Sequence, residues 1–292
     1  MATMTAHMGY VGSVKIDGTP YFMTGSSLNP TQTAEAPDAV AGSVIRRGWF
    51  YSKVDPTGNV TGPLHEGASN LWSLAFNRTD DLDHLASTVE IEIAFYRGGG
   101  WSFPACVLNS LQISATAGEV VTFTADFAGR SVTEDLSGSP ASSEMDCSKL
   151  MTWDRVVFDI SGISDSKLDH LQSMNITLNN NVQKLFAIQG GNADDHDLYP
   201  VDLPCGVREI TGSISAYSTA PIHGFINDHI GADKWSDYTY AQAVKEVTFE
   251  VSPIISLDFN AVFSRPEGAG QTGPAIYTLN FTAICEPNEA TL

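Results

Sequence analysis

Apolar and polar residues alternate along much of this chain, and a period of two is typical of β-strands with one buried face. The alternation is clearest where Val89, Ile91 and Ile93 are separated by Glu90 and Glu92. Similar patterns predict strands over residues 10–16, 43–53, 89–96, 151–160, 245–251, 254–263 and 275–284. Glycine, proline and aspartate stand between several of these segments and predict turns there.

A β-hairpin is predicted over residues 107–132. Leu111 and Ile113 lead to a turn at Ala117-Gly118. The return strand is apolar at every second position, with Val121, Phe123, Ala125 and Phe127. Two alternating segments joined by a short glycine-containing turn are the usual sequence pattern of a hairpin.

Residues 174–217 combine several of these patterns. A strand with Ile176 and Leu178 ends at Asn179-Asn180-Asn181, and an apolar segment from Gln183 to Gln189 follows. After Cys205-Gly206 the chain enters a long strand with Val207, Ile210, Ile214 and Ala216 on one side and Glu209, Thr211, Ser213 and Ser215 on the other. Gly212 within this strand predicts a bulge, a bend or a close approach of another backbone.

Helical patterns are scarce. One short amphipathic helix is predicted between Pro221 and Val244, and residues 80–85 and 165–171 are candidates for single helical turns. Many strands with little helix favour an all-β fold, a β-sandwich or barrel with one short helix.

The N-terminal region follows a different pattern. Residues 21–40 lack alternation and predict an extended arm that reaches a neighbouring subunit, and Asp55-Pro56-Thr57-Gly58 predicts a turn after the strand at 43–53. We therefore divide the chain into residues 1–80, an arm with additional strands, and residues 81–292, the β-sandwich core.

The net charge of −19 disfavours nucleic-acid binding, because affinity for phosphates needs cationic groups. The same charge also suits plain solubility. The first residues lack the basic start and apolar core of a signal peptide, and no apolar run is long enough to cross a bilayer, so we expect neither secretion nor membrane insertion. The four cysteines, Cys106, Cys147, Cys205 and Cys285, are widely spaced and predict free, mostly buried thiols.

No catalytic motif stands out. The densest group of possible metal ligands is Asp194-Asp195-His196-Asp197, which lacks the spacing of a calcium loop and is interpreted as a solvated acidic loop. His223 and His229 are not spaced as a helical metal pair. We expect no enzyme activity, no metal and no cofactor.

The order "ITLNNN", an apolar segment ending in glycine, a loop, and "G-V-REITGS-IS-Y" resembles the tail tube (major tail) proteins of long-tailed bacteriophages. The hairpin ending in Gly129-Arg130 matches the same pattern, and we extend the resemblance over residues 89–285. The resemblance implies a β-sandwich that forms hexameric rings, stacked into a tube around a continuous inner β-barrel. It also implies assembly in the host cytoplasm, a place in the virion tail, and tape-measure, terminator and baseplate proteins as partners.

In such a tube viral DNA passes through the lumen without specific binding. An anionic wall would not hold the DNA, whereas a basic wall would. The candidate lumen-lining residues are Glu119, Asp126, Glu246, Glu250 and Asp258, and the loop at Asp194, Asp195, His196 and Asp197 is the candidate inter-ring contact. Two alternatives stay open: a secreted or virion-surface β-sandwich that binds carbohydrate or a receptor, and a baseplate hub, tail terminator or secretion-system tube protein of the same fold.

Overall fold

The computed structural model describes residues 11–35, 50–76, 88–95, 99–134, 149–161, 171–186, 199–217, 244–264, 267–268 and 276–284. The first strands are β1 Val11–Ile16, β2 Thr19–Tyr21, β3 Gly25–Ser26, β4 Asn29–Glu35 and β5 Phe50–Pro63, followed by helix α1 Ser69–Phe76. The middle strands are β6 Val89–Phe95, β7 Gly100–Thr116, β8 Thr122–Gly129, β9 Thr133–Glu134 and β10 Val156–Ile160. The last are β11 Leu171–Asn179, β12 Glu209–Tyr217, β13 Lys245–Val251, β14 Ile255–Phe263, β15 Glu267–Gly268 and β16 Ile276–Ala283.

All described strands belong to one antiparallel hydrogen-bonded network in the order β10-β13-β14-β16-β12-β11-β7-β6-β1-β2. A branch of β8, β5 and β4 leaves the other edge of β7. Strand β7 is long enough to pair with β6 through its first half and with β11 through its second half. It therefore joins the part of the network that contains β6, β1 and β2 to the part that contains β11, β12 and β16.

The network folds over on itself. The rings of Phe158 on β10 and Phe281 on β16 are 5.6 Å apart, although three strand steps of a flat sheet would separate them by about 14 Å. The rings of Tyr21 on β2 and Phe123 on β8 are 5.5 Å apart, although four steps would span about 19 Å. The folded network encloses one large apolar cluster, which is the packing of a β-sandwich.

The short helix lies at Ser69–Phe76, where the sequence did not indicate one. Its buried residues are Leu71, Trp72, Ala75 and Phe76, and the ring of Trp72 lies 6.4 Å from that of Phe249 on β13. Eight residues give only two turns, too few for a helical period to show in the sequence. The helix expected between residues 221 and 244 lies outside the described residues, as does the candidate turn at 80–85.

Most predicted strands are confirmed. The hairpin of β7 and β8 turns at Gly118 (φ 86°), and β7 extends further toward the N-terminus than the alternation indicated. Strand β6 buries Val89, Ile91 and Ile93 as expected. The alternating residues of β14 are also buried on one face, at Ile255, Leu257, Phe259, Ala261 and Phe263.

One prediction for the N-terminal region is wrong. Residues 55–58 form no turn; they lie inside β5, where Pro56 stands opposite Pro30 of β4. Both prolines occupy a pair that exchanges no hydrogen bonds between β4 and β5, so their missing N–H groups do not interrupt this ladder. The described part of the expected arm, residues 21–35, holds β3, β4 and the end of β2, paired within the same chain, and its contact with a neighbouring subunit stays a prediction. The boundary drawn at residue 80 lies outside the described residues.

Candidate functional site

The outer face of the network is a broad polar surface across β5, β8, β7, β11, β12 and β16. Along each strand the alternate residues are buried in the core, so the remaining ones share this outer side. We call this surface the polar face; its residues are Asn59, Thr61, Ser110, Gln112, Ser114, Thr122, Thr124, Asp126, Ser173, Asn175, Thr177, Asn179, Glu209, Thr211, Ser213, Ser215, Thr278, Asn280 and Thr282. The sequence had placed Glu209, Thr211, Ser213 and Ser215 on the exposed side of their strand, and this is confirmed.

Threonines form a row across this surface, perpendicular to the strands. In register from β5 to β16 the row contains Thr61, Thr124, Gln112, Thr177, Thr211 and Thr282. The hydroxyl groups of Thr61 and Thr124 bond to each other, with 3.2 Å between their Oγ1 atoms, whereas Thr177 donates to Asn175 Oδ1 of its own strand at 3.3 Å. Ser215 Oγ lies 3.0 Å from Thr278 Oγ1 in the same way. In these two pairs the hydroxyls satisfy one another across the strands.

The charge of the polar face is low and of one sign. Asp126 and Glu209 are its charged residues, and the defined set contains no lysine, arginine or aromatic residue. Tyr217 and Ile276, which pair with each other, border it at one end. A surface of this composition offers hydrogen-bonding groups but no cation that would retain a polyanion.

An acidic strip continues the polar face beyond β16. Val262 of β14 pairs with Thr282, so the outer sides of β14, β13 and β10 extend the same surface. The acidic strip consists of Asp159, Glu246, Glu250 and Asp258. Thr248 stands in register between Asp159 and Asp258 and donates a 2.6 Å hydrogen bond to the latter. Asp159 was not among the site residues predicted from the sequence, although the alternation of its strand places it on the side opposite Phe158 and Ile160.

A ribbon folds across one end of the polar face. It consists of residues 180–186 and 199–207, with Leu185 bridged to Asp202. Lys184 Nζ lies 2.8 Å from the carboxylate of Asp55 on β5, and Lys53 stands over the ring of Phe186 at 5.5 Å. The ribbon packs on the sheet through a small apolar cluster. Leu203 and Cys205 of the ribbon join Val107 and Ala128 of the sheet in this cluster, and Val182 of the ribbon packs against it. Residues 187–198 connect the two halves of the ribbon and lie outside the described residues.

The ribbon corrects two expectations. The segment after Gln183 was read as an apolar strand, yet its described part makes only isolated ribbon contacts, and Leu185 and Phe186 are half exposed. Val207 was placed on the apolar side of the following strand, whereas it lies before the strand begins and is 78% exposed. Leu185, Phe186 and Val207 are exposed because the ribbon leaves the sheet after the Asn179–Glu209 pair.

The asparagine triplet that precedes the ribbon is a structural corner. The buried side chain of Asn180 donates to the carbonyl oxygens of Ala75 (3.4 Å) and Leu108 (3.0 Å). Arg208 donates to Asn180 Oδ1 (3.3 Å) and to the Phe76 carbonyl (3.1 Å) at the C-terminus of α1. These contacts satisfy carbonyls that the helix end and the bulge in β7 leave unpaired.

The sequence-predicted site residues fall into three places. Asp126 lies on the polar face beside the ribbon, where Asn109 Nδ2 donates to it at 2.9 Å, and Glu246, Glu250 and Asp258 lie together on the acidic strip. Glu119 lies apart from them in the exposed β7–β8 turn. The acidic loop Asp194, Asp195, His196 and Asp197 lies outside the described residues.

A family model for phage tail tube proteins matches residues 5–222 of the chain, well over half of its length. The chain belongs to the phage tail tube protein family. Proteins of this family are structural components of the virion tail that assemble with copies of themselves and with other tail proteins. The match includes the N-terminal region, whereas the resemblance drawn from the sequence began at Val89 and ran to residue 285. A search of curated proteins returns no match.

Two further features of the described part of this tail tube protein concern its chemistry. Cys106 and Cys205 are both buried, and burial raises the pKa of the Cys106 thiol to about 12, so this thiol is poorly reactive. The helix of the described residues is too short to span a bilayer.

Proposed function

We propose that six copies of this tail tube protein form a ring, that rings stack into a hollow tube, and that the polar face lines the lumen through which viral DNA passes. Tape-measure, terminator and baseplate proteins would bind the tube at its inside and its ends, and assembly would take place in the host cytoplasm. The observation that carries the proposal is the polar face itself, which is continuous across the strands and contains no cationic residue in its defined set.

The physical argument concerns how weakly the wall holds DNA. Each phosphate that a cationic side chain neutralises releases counterions, and this release makes the binding tight and salt-dependent. A wall of hydroxyl and amide groups with a few carboxylates offers no such contact. The acidic strip consists of carboxylates, so this part of the surface offers no cationic contact either.

The composition of the polar face also argues against the carbohydrate-binding alternative. Flat sugar-binding surfaces use aromatic rings, since these combine a large apolar face with a polar edge. The polar face has none within its defined set, and its bordering residue Tyr217 is half-buried. The hub, terminator and secretion-tube alternatives share the fold and are separated from a tube subunit by the assembly that forms.

Size-selective labelling of Thr211→Cys tests the proposal. Thr211 is exposed and lies between Thr177 and Thr282 in the threonine row. In the unassembled protein this cysteine should react with a small maleimide and with one carrying a large polymer. In assembled tubes, seen by electron microscopy, it should react only with the small reagent, because the large one cannot enter the lumen.

Unaltered protein treated in the same way reports any reaction of the native cysteines. Equal reaction of the large reagent with assembled Thr211→Cys tubes would place the polar face on the outside and reject the proposed lumen. A protein that stays monomeric at high concentration would reject the tube itself.

A further inference from the structure

The root of the ribbon is joined to the sheet by Asn109. Strand β7 changes register against β8 between Leu108 and Ser110, so Asn109 is the extra residue of a bulge. Its carbonyl oxygen accepts the Asn180 N–H at 2.7 Å, and its side-chain Oδ1 accepts the Val182 N–H at 2.9 Å. Asn109 therefore binds two backbone amides of the ribbon at the point where the ribbon leaves the sheet.

The amide group of Asn109 satisfies its partners in one orientation only. Its Nδ2 donates to Asp126 Oδ2 on the polar face at 2.9 Å. An ionised carboxylate only accepts hydrogen bonds and a backbone N–H only donates them. A rotated Asn109 would turn its oxygen toward Asp126 and its NH2 group toward the Val182 N–H, and both contacts would be repulsive. Asp126 thus selects the orientation in which Asn109 holds the ribbon.

A second carboxylate of the sheet holds the ribbon further along. Asp55 of β5 accepts a hydrogen bond from Lys184 Nζ at 2.8 Å, and both side chains are mostly buried. The two halves of the ribbon are tied to each other by backbone bonds, such as the one from the Gln183 N–H to the Pro204 carbonyl at 2.8 Å. The ribbon is therefore a strap that Asn109 holds at its root.

The strap covers an apolar spot on the otherwise polar outer side of the sheet. Val107 and Ala128 pair with each other there, and both are buried. Cys205 of the ribbon packs in the same cluster and is 4% exposed. If the ribbon lifts from the sheet, the Cys205 thiol becomes accessible together with this apolar spot.

We propose that Asp126 is a positioning residue whose negative charge locks the ribbon closed through Asn109, and that loss of this charge lets the ribbon lift from the sheet. The carboxylate acts through its charge, because an amide of the same shape presents either an acceptor or a donor to Asn109 and no longer selects one orientation. Asp126 thereby has a task within the single chain besides the one predicted for it in the lumen. The lock needs no neighbouring copy and does not depend on the proposed tube.

Maleimide labelling of the native Cys205 thiol in unassembled protein measures how often the ribbon opens. Peptide mapping by mass spectrometry separates Cys205 from the other cysteines. We expect Cys205 to be labelled about tenfold faster in Asp126→Asn than in the parent, because a hydrogen bond to a charged group is lost and the ribbon opens locally. Cys106 is fully buried in the main core and should be labelled slowly in both proteins.

A rescue variant separates the lock from general damage. In Asn109→Asp two carboxylates face each other, so Cys205 should again be labelled faster. In the double variant Asn109→Asp with Asp126→Asn, the carboxylate at position 109 accepts from both the Val182 N–H and the amide at position 126. Labelling of Cys205 should then return to near the parental rate, which independent damage at two sites would not produce.

The matched control is Glu246→Gln, which removes one negative charge from the acidic strip and should leave the labelling of Cys205 unchanged. Equal acceleration by Glu246→Gln would assign the effect to net charge and overturn the lock.

Three other results would also overturn it. Parental labelling of Cys205 in Asp126→Asn would show that Asp126 does not hold the ribbon. A double variant labelled as fast as the single variants would mean that the contacts of Asn109 are not the cause. Faster labelling of Cys106 in step with Cys205 would mean that the whole fold opens. None of these results bears on the proposed tube, because every measurement uses unassembled protein.

Discussion

The two faces of the same sheet follow different rules. On the inner face, Phe281 contacts the rings of Phe158, Phe259 and Phe263 at centroid distances between 5.6 and 5.8 Å, and the residues around it are nearly inaccessible. On the outer face, short hydroxyl and amide side chains lie side by side and remain partly exposed. The packing of the inner face depends on the shape of each side chain. The properties of the outer face depend on which chemical groups are repeated along it.

This difference separates stability from function. An inner residue packs against atoms that cannot move away, so its replacement is felt by the single folded chain. An outer residue contributes little to that chain, yet in a tube it recurs in every subunit. We therefore expect inner substitutions to show in unfolding experiments, and outer ones to show after assembly.

Gly212→Val should have the largest effect on folding. A Cβ at this position would lie 2.4 Å from the Asn175 carbonyl oxygen of β11 and 2.4 Å from the ring of Phe281. Relief needs a shift of a central strand, so we expect a loss of more than about 3 kcal/mol in the free energy of unfolding, measured in urea. Ser213→Val, one residue along and on the polar face, is the matched control. A loss of equal size in both variants would contradict the division between the faces.

Asn180→Leu should cost somewhat less. Asn180 is a buried polar residue at the point where the strand leaves the sheet, and leucine would leave the Ala75 and Leu108 carbonyls without their donor. Each buried polar group left unpaired costs about 1–3 kcal/mol. We expect a lower urea midpoint for Asn180→Leu and almost no change for Asn175→Thr on the polar face. A leucine variant as stable as the parent would mean that water replaces the amide.

The strands and their buried faces were predictable because alternation is a local signal. Residues Val121 to Phe127 and Ile255 to Phe263 show it over enough positions to fix both the strand and its orientation. The helix at Ser69–Phe76 was not predictable in this way, since two turns give no clear period. Strand β4 was missed because Pro30 within it and Pro56 opposite it in β5 are residues that usually interrupt strands, and only their pairing with each other makes them compatible with the sheet.

The candidate site was predictable in part. The outward residues of β12, β13 and β14 follow from the alternation, so Glu246, Glu250 and Asp258 were correctly grouped on one side. The threonine row was not visible, because its members come from strands far apart in sequence and only the register brings them together. The ribbon beside Asp126 depends on contacts such as Lys184 with Asp55, which no local pattern encodes.

A smaller effect is expected from acid on His65, a titratable group on the core side. Burial lowers the pKa of His65, whose Nδ1 accepts the Gly67 N–H and whose ring packs against Tyr21, with Lys149 near enough to lower the pKa further. In the unfolded chain His65 has the ordinary histidine pKa of about 6.5, so it binds a proton at a pH at which His65 of the folded chain is still neutral. The stability linked to this group is complete above pH 6.5 and falls as the pH drops below it.

Urea unfolding of the parent and of His65→Gln between pH 7.5 and 5.5 measures this contribution. The range stays above the pH at which most carboxylates titrate. We expect the parent to lose more stability than the variant over this range, by an amount limited by the partial exposure of His65. Parallel curves for the two proteins would show that His65 binds protons equally in both states.

The smallest effect on the single chain, and the clearest one on the tube, is expected from charge on the polar face. Gln112 and Thr211 belong to the threonine row, so Gln112→Lys and Thr211→Lys should each change the free energy of unfolding by no more than about 0.5 kcal/mol.

In a tube the double lysine variant would repeat its two cations in every subunit along the lumen. Each phosphate contact then adds affinity with a slope of roughly −0.9 in log K against log salt. We expect virions with this variant to release DNA slowly at low salt and normally at high salt, and virions with Gln112→Glu and Thr211→Glu to release it at the parental rate. Normal release by the lysine variant at low salt would place the polar face away from the DNA.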